Sequence, residues 1–418
     1  MLSQKALGTS GWEVFHLFEK SVELQYSDQQ LKTKEISESD GYGIRVLKNK
    51  KIGFSYCEDQ EKLKVSAARA AQISKFSPES EFSFPKKQRI KQLNIYDRRT
   101  AEIEIEEIKA HLEQIMDALG NAKKKSRIMV SMDMNKISLD NSNGFSDSYQ
   151  ATQMNAYCEV MLGKGSGFSY KSSVGILDKP WEIGKDALRM AKDMAHPKKP
   201  APGKYEVVFS QEAIDNILEI FIPSLSGEWK RKAISKLADK KGKQIVSPLL
   251  SIYDDPLATG ESSMPFDDEG IPSERRALVE NGELKGFIWN REIAALAKTN
   301  EEGFCSRESY SSNPSISCSN KVIPPGDYTD FEQELRNFIL IYSAHGTHTA
   351  NLTTGDFGLE VNIAFHIKDG KRIPIRGFMI SGNIFELLNK ITGLEKTQKT
   401  HGDLIAPRIA FGEVNVVS

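Results

Sequence analysis

The chain has 418 residues, enough for two or three domains with their own cores. Hydrophobic residues make up 39% and charged residues 27%, and 56 basic against 57 acidic side chains leave a net charge of −1. That balance excludes bulk phosphate neutralisation as the basis of function and gives direct nucleic-acid binding no support. Lysine-rich runs at 48–51, 123–127, 198–199 and 240–243 fall in turns or linkers, where they read as solvated loop charge. Cys57, Cys158, Cys305 and Cys318 form no CxxC or Cys/His pair, which points to reduced thiols in a cytoplasmic protein. The first twelve residues have no apolar signal-peptide core, and no run approaches the roughly 18 apolar residues of a membrane span.

Val22, Leu24 and Tyr26 alternate with polar residues, predicting a half-buried strand. A hairpin turning at 48–51 follows, with Gly41, Gly43 and Gly53 allowing close backbone approach. Helical periodicity covers 59–74, and 75–88 is a polar loop. A short strand is expected at 94–96 and one long helix at 100–119, with Thr100 as its cap. Strands at 127–139 and 146–162 are joined by the turn Asp140-Asn-Ser-Asn-Gly144. Gly163-Lys-Gly-Ser-Gly167 has the composition of a phosphate loop without its spacing or following helix, and reads as a flexible hairpin connection. A helix covers 181–195. Three prolines in 196–203 mark a linker.

After the linker an apolar strand at 205–209 runs into Ser210, a good N-cap, and a helix over 210–226 carries Ala213, Ile214, Ile217, Leu218, Phe221 and Ile222 at helical spacing. A strand is predicted at 245–252. Arg276 to Trp289 reads as a hairpin about Asn281-Gly282. Helices are predicted at 291–298, 330–337 and 384–392, and strands at 339–343, 359–367, 373–381, 405–411 and 414–417, with a long polar loop at 301–325. The fold class is α+β: a mixed N-terminal domain with an antiparallel sheet over 1–196, then a β-rich domain with short helices over 204–418.

Seven histidines offer no His-Glu-x-x-His. His345 and His348 stand three apart, so in an extended segment they face opposite ways and need a turn to share a metal; Asp356 or Cys318 would have to complete a zinc site. Asp254-Asp255 and Asp267-Asp268-Glu269 have the oxygen donors of a hard-cation site but not the alternating spacing of a calcium loop. No Gly-x-Ser-x-Gly elbow exists, and no cysteine neighbours a histidine, so nucleophilic catalysis has no support in the sequence.

Short motifs in a fixed order carry a resemblance: Gly41-Tyr-Gly-Ile-Arg-Val46 with Ile52-Gly-Phe54, Asn141-Ser-Asn-Gly144, Pro265-Phe-Asp-Asp-Glu-Gly270, Asn313-Pro314 with Ser319-Asn320, Thr354-Gly-Asp-Phe357 and Ile380-Ser-Gly-Asn383. From about Trp12 to the C-terminus the chain resembles the TldD/PmbA family, once called modulators of DNA gyrase. The resemblance implies a pair of related subunits. The TldD type holds zinc for peptide hydrolysis with His-Glu-x-x-x-His on a helix and a cysteine nearer the C-terminus, and metal-bound water supplies the nucleophile. Aligned on Gly227, the histidine places here fall at Leu218 and Pro223, and Glu219 keeps the acidic place. No histidine lies between His196 and His345, and no cysteine follows Cys318. The chain therefore looks like the PmbA/TldE subunit: no cofactor of its own, zinc in a TldD-type partner, assembly as a heterodimer or with itself, and unfolded peptides admitted to a cleft. Asp267, Asp268, Glu269, Asn320, His345, His348, Asp356 and Asn383 are candidate cleft residues. Two alternatives stand beside this reading: an independent hydrolase using His345, His348 and the 267–269 acids, or a binding module acting on a partner such as DNA gyrase.

Overall fold

In the computed structural model the description covers Leu2, Gln4 and residues 8–418, with the backbone alone of Thr33. Strands β1 (Gly11–Ser27), β2 (Gln30–Lys48) and β3 (Lys51–Cys57) precede helix α1 (Leu63–Ile73). After α2 (Arg98–Ala101) and α3 (Ile105–Leu119) come β4 (Ser126–Asn141), β5 (Ser146–Leu162), β6 (Gly165–Ser173) and α4 (Trp181–Asp193). The six strands form one sheet in the order β3-β2-β1-β4-β5-β6, every pair antiparallel. Asp28-Gln29 and Asn49-Lys50 close the first two hairpins with positive φ at both residues, the conformation that matches strand twist.

The sheet's long strands change buried face part-way along. In β1 the odd residues Glu13, Phe15 and Leu17 are buried, then the even residues Val22, Leu24 and Tyr26. β4 switches the other way, from Ile128–Met134 on even positions to Leu139 and Asn141 on odd ones. The even stretch lies under α3 and α4, in a core with Ile108, Leu112, Ile115 and Ala187. The odd stretch meets Phe145 and, from the far half of the chain, Phe266. One sheet thus serves helices at one end and the second half of the molecule at the other.

The sequence reading needs correction in this half. Residues 94–96 form no strand; the Ile95 carbonyl accepts the Thr152 amide, and Thr152 Oγ1 accepts the Asp97 amide. The single helix predicted at 100–119 is two, because Asp97, not Thr100, caps α2, and the chain turns at 102–104 before α3 starts. The Gly163–Gly167 segment is a tight turn only at its first residues. Gly165 and Gly167 lie in β6 beneath α4, where an added Cβ would meet the Ala191 and Ala187 carbonyls at 2.4 and 2.2 Å. Backbone cannot yield there as a flexible side chain would. Gly167→Ala is expected to lose about 1–3 kcal/mol as α4 lifts from the sheet, measured by the urea midpoint.

The second half contains β7 (Gly203–Phe209), α5 (Gln211–Phe221), α6 (Gly227–Arg231), β8 (Ile252–Asp254), β9 (Arg276–Glu280), β10 (Glu283–Leu284), α7 (Arg291–Ala297), β11 (Cys305–Ser306), β12 (Ser315–Ile316), β13 (Lys321–Val322) and α8 (Phe331–Glu334). It ends with β14 (Asn337–His345), β15 (Asp356–Lys368), β16 (Lys371–Ile375), β17 (Phe378–Asn383), α9 (Ile384–Leu388), β18 (Ile391–His401) and β19 (Leu404–Val417). An 11-stranded sheet runs β10-β9-β8-β13-β19-β17-β15-β14-β7, with β16 paired to β15 and β18 to β19 off this path, and β7 pairs again with β19. The second pairing closes β19, β17, β15, β14 and β7 into a ring, so none of these five presents a bare edge to the next. The apolar face of α5 packs with strands of the ring: Ile214, Ile217, Leu218 and Phe221 share a core with Ile341, Leu359, Ile409 and Phe411.

The strand predicted at 245–252 is confined to Ile252–Asp254. Ser247-Pro248 explains the loss, since proline has no amide to give a ladder. The 330–337 and 384–392 helices shrink to α8 and α9, and the 373–381 strand is broken at Gly377, where φ is +73°. The 276–289 hairpin ends early, because β10 stops at Leu284. β18 has no counterpart in the sequence reading; seven of its eleven positions are at least partly exposed.

Candidate functional site

Helix α5 begins where β7 ends. Ser210 Oγ accepts the Ala213 amide, and Ser210 itself is held to β14 through the Ile341 and Tyr342 carbonyls. Burying Ala213, Ile214, Ile217 and Leu218 turns the complementary positions Glu212, Asp215, Asn216 and Glu219 outward, at the 0, 3, 4 and 7 spacing of one helix face. They line a cleft of about 520 Å³. Its opposite wall is the N-terminal sheet, with Tyr157, Glu159, Phe168 and Tyr170 from β5 and β6; Ser343 and His345 at the end of β14 form the rim. Two further cavities follow the same seam between the halves, about 220 Å³ beside Asp133, Gln153 and Glu261, and about 730 Å³ beside Gln211, Arg372 and Arg408.

The cleft is acidic and in parts buried. Burial lifts the Glu212 carboxyl to about 7, partly opposed by a hydrogen bond with Ser343 and reinforced by Asp215. Asp215 itself is tied to Lys321 at 3.1 Å, and Lys321 also holds Asp403 at 2.7 Å. The Asn216 Oδ1 atom is buried without a hydrogen-bond partner among the described residues. Tyr170 donates to Glu261 and to Asn155, linking the cleft to the neighbouring cavity.

Of the residues singled out from sequence, Glu219 and His345 line this cleft. Leu218 points the other way, 1% exposed in the core, and Pro223 sits half-buried in the 3-10 turn Ile222–Leu225, outside the cleft lining. Gly346, with φ +110°, turns the chain after His345, and His348 is exposed in the next turn, Thr347–Thr349. Asp356 and Asn383 face each other at the end of the β15–β17 pair, where Asn383 Nδ2 donates to Asp356 at 2.8 Å and Asn383 also caps α9. Asn320 is fully buried and ties the 255–263 loop, accepting the Ser262 amide and donating to the Ala258 carbonyl and Ser263. Cys318 is beside Asp254 and Lys321, not in the cleft lining.

The Asp267–Glu269 group is buried in a charge network that joins the two halves. Arg45 grips Glu13 through two nitrogens, at 2.8 and 2.9 Å, and donates to Glu269 at 2.6 Å. Arg307 donates to Glu13 at 2.6 Å, while Asp268 accepts the Arg307 amide at 2.7 Å. Asp267 Oδ1 accepts the Glu269 and Ile271 amides, closing the turn. Two guanidinium groups thus stand where the hard-cation reading of these acids puts a metal. The Gly41–Val46 and Pro265–Gly270 motifs are two sides of this one structure: Gly43 admits the Tyr310 backbone, whose carbonyl a Cβ there would meet at 2.6 Å.

The sequence reading missed Gln211, Glu212 and Asn216. The signal was present in the periodicity: a side chain that serves a cleft has to fall on the polar face, which Leu218 does not.

Residues 202–418 match the family described as PmbA/TldA metallopeptidase C-terminal domain, and residues 12–74 match PmbA/TldA metallopeptidase domain 1. The chain is 30% identical over 413 residues to an uncharacterized protein of Methanocaldococcus jannaschii, covering 97% of this chain and 96% of that one. It is 24% identical over 402 residues to a Methanothermobacter thermautotrophicus protein named a metalloprotease, covering 88% and 84%. Among solved structures it is similar to TldE from Thermococcus kodakarensis, with a TM-score of 0.92 at 22% identity over 99% of this chain and 98% of that one, a likeness of fold. Among the described residues no helix is long and apolar enough to cross a membrane.

Proposed function

We propose that this chain, which belongs to the PmbA/TldD metallopeptidase family, is the family's subunit without zinc, working beside a TldD-type partner on unfolded or small peptides. The observation that carries the proposal is the α5 face. The cleft-facing window with the spacing of His-Glu-x-x-x-His is Gln211-Glu212-x-x-x-Asn216: Glu212 and Asn216 line the central cleft, and Gln211 lines the next cavity along the seam. The window at Leu218 and Pro223 has its first position in the core. The acidic place keeps its carboxylate, while both histidine places carry neutral amides.

Zinc takes thiolate, imidazole or carboxylate donors, and carboxamides are poor substitutes. His345 and His401 each bring an imidazole to the cleft, and Cys318 is elsewhere. Among the described residues no three His, Cys, Asp or Glu side chains are grouped so as to hold a metal, so the donor set does not fit zinc. The seam is left to receive peptide beside β6, the edge strand of the N-terminal sheet, which can offer backbone hydrogen bonds with little sequence preference. The chain is read as two domains, 1–196 and 204–418, joined by the proline-rich 196–203 segment. Four free cysteines suit a reducing cytoplasm.

Purified alone, the chain is expected to hold no stoichiometric zinc by elemental analysis and to cleave no unfolded peptide. Turnover is expected to appear when a TldD-type subunit is added. One-to-one zinc in the lone chain, or peptide cleavage by it, overturns the proposal.

A further inference from the structure

The cavities along the seam treat their carboxylates in two different ways. In the largest, beside Gln211, the acids are neutralised from within. Arg408 grips Glu395 through two nitrogens at 2.8 and 2.6 Å and reaches Asp330 at 3.0 Å, and Arg372 holds Glu332 at 2.6 and 2.7 Å. In the other two cavities the acids stand without a cation. Among the described residues Glu159, Glu212 and Glu219 of the central cleft, and Asp133 and Glu261 of the small cavity, form no ion pair. Nearby cations are engaged or turned elsewhere. Lys321 is held between Asp215 and Asp403, Arg376 donates to the Lys164 carbonyl at 3.2 Å, and Arg127 stands across the ladder from Glu159 without pairing to it. Asp133 and Glu261 accept the hydroxyls of Ser21 and Tyr170, which fills hydrogen bonds but leaves the charge. The chain as a whole carries a net charge of −1, so this acidity is local to the seam. A cleft lined by one sign of charge focuses its field on an arriving ligand of the other sign.

The layout suits a chain rather than an ion. Glu212 and Glu219 are two helical turns apart, about 10 Å along α5, and no three donors among the described residues are grouped to hold a metal. That spacing is close to the rise of about three residues in an extended chain. Tyr157, Phe168 and Tyr170 form the opposite wall. Burial raises the Tyr157 hydroxyl, and Glu159 and Glu212 raise it further, so both carboxylates act at the same aromatic wall. A basic side chain can lay its apolar stem against such rings and keep its head among the acids. Leaving a buried carboxylate such as Glu212 without a counter-charge costs free energy, which an incoming cation offsets.

We propose that the seam selects peptides by positive charge: it takes an extended peptide bearing lysine or arginine, with a basic head between Glu159, Glu212 and Glu219 and a second one reaching Glu261 and Asp133. The inference rests on the reading of the seam as a peptide cleft and adds the class of peptide. Glutamate- and aspartate-rich peptides are turned away by the same carboxylates.

Binding to the full chain alone tests it, since without a zinc-bearing partner the peptide is not consumed. Three fluorescent ten-residue peptides of Gly, Ser and Ala serve as probes, alike except that two positions carry Lys, Gln or Glu. The lysine peptide is expected to bind at least about tenfold tighter than the glutamine peptide, and the glutamate peptide weakest, with the advantage shrinking as salt is raised. Glu212→Gln and Glu219→Gln should each bring the lysine-to-glutamine ratio closer to one. Glu219 is exposed, so Glu219→Lys keeps the fold, and it should raise affinity for the glutamate peptide while lowering it for the lysine peptide. Equal binding of the three probes, or a preference that ignores these substitutions, overturns the inference and leaves the peptide cleft standing. Failure of all three to bind overturns the inference together with the peptide reading itself.

Discussion

Arg45→Ala is expected to cost about 3–5 kcal/mol of stability, the range for removing one partner from a buried ion pair. Arg45 is 0% exposed, as are Glu13 and the Glu269 carboxylate that it bonds. Its guanidinium also stacks near the Phe82 and Phe84 rings, at 5.3 and 5.6 Å, so the substitution removes packing as well as charge. What makes it severe is what remains: Glu13 keeps Arg307, but Glu269 loses its guanidinium donor while Asp267 and Asp268 stay beside it. Arg45→Lys restores the charge without the fork that grips Glu13, and should recover only part of the loss. Because the pair is buried, the difference between wild type and variant should change little between low and high salt. Urea midpoints at two ionic strengths check both statements. A loss under about 1 kcal/mol would mean that the network is not what holds the N-terminal sheet to the second half.

That network marks the limit of what the sequence could tell. Arg45 and Glu269 are 224 residues apart, and neither lies in a periodic segment that advertises burial. Both motifs were visible as motifs; their meeting was not, because contact between a strand and a distant loop leaves no repeat. The elements that were legible had one buried face. Val22 to Tyr26 alternates because helices cover one side, and α5 reads as a helix because its apolar stripe fills the ring. Where a strand changes its buried face, as β1 does between Leu17 and Val22, the alternation breaks phase and the start of the strand is obscured. β18 was missed for the opposite reason: threonine and lysine positions such as Lys396 and Lys399 face outward and carry no core signal. At the cleft, the helix was read correctly and the face was not. Alignment on Gly227 placed a histidine position on Leu218, although the same helix's periodicity already assigned Leu218 to the interior.

Between pH 5 and pH 8 the chain is expected to lose stability, by roughly 2–5 kcal/mol. Buried carboxyls set the sign, among them Asp267, which burial and the neighbouring Glu269 raise well above its usual value. Burial raises Glu212 to about 7, with Ser343 pulling against it. Burial raises Asp254 to about 6 against hydrogen bonds from the Ser319 amide and hydroxyl, and raises Asp268 to about 6 against Arg307. Each titrates near 4 in the unfolded chain. The folded state therefore binds protons that the unfolded state has released. Their contribution is complete below the unfolded values and disappears as pH climbs through 6 and then 7. Two other influences act differently. Glu332 and Glu228 are lowered even though burial opposes it in both, by Arg372 and Arg408 and by Arg231 and Lys232, so what they add is lost only on acidification below about 4.5. His366, lowered by partial burial and Lys368, favours folding more as pH rises through its ordinary value, which offsets part of the fall. Stability should therefore peak near pH 5 rather than at neutrality. Glu212→Gln should remove the step around pH 7 and Asp254→Asn the step around pH 6, each flattening the curve without steepening it elsewhere. Urea midpoints at half-unit intervals resolve the two steps, and a profile that is level or rising from pH 5 to pH 8 would show that these carboxyls are solvated in the folded chain.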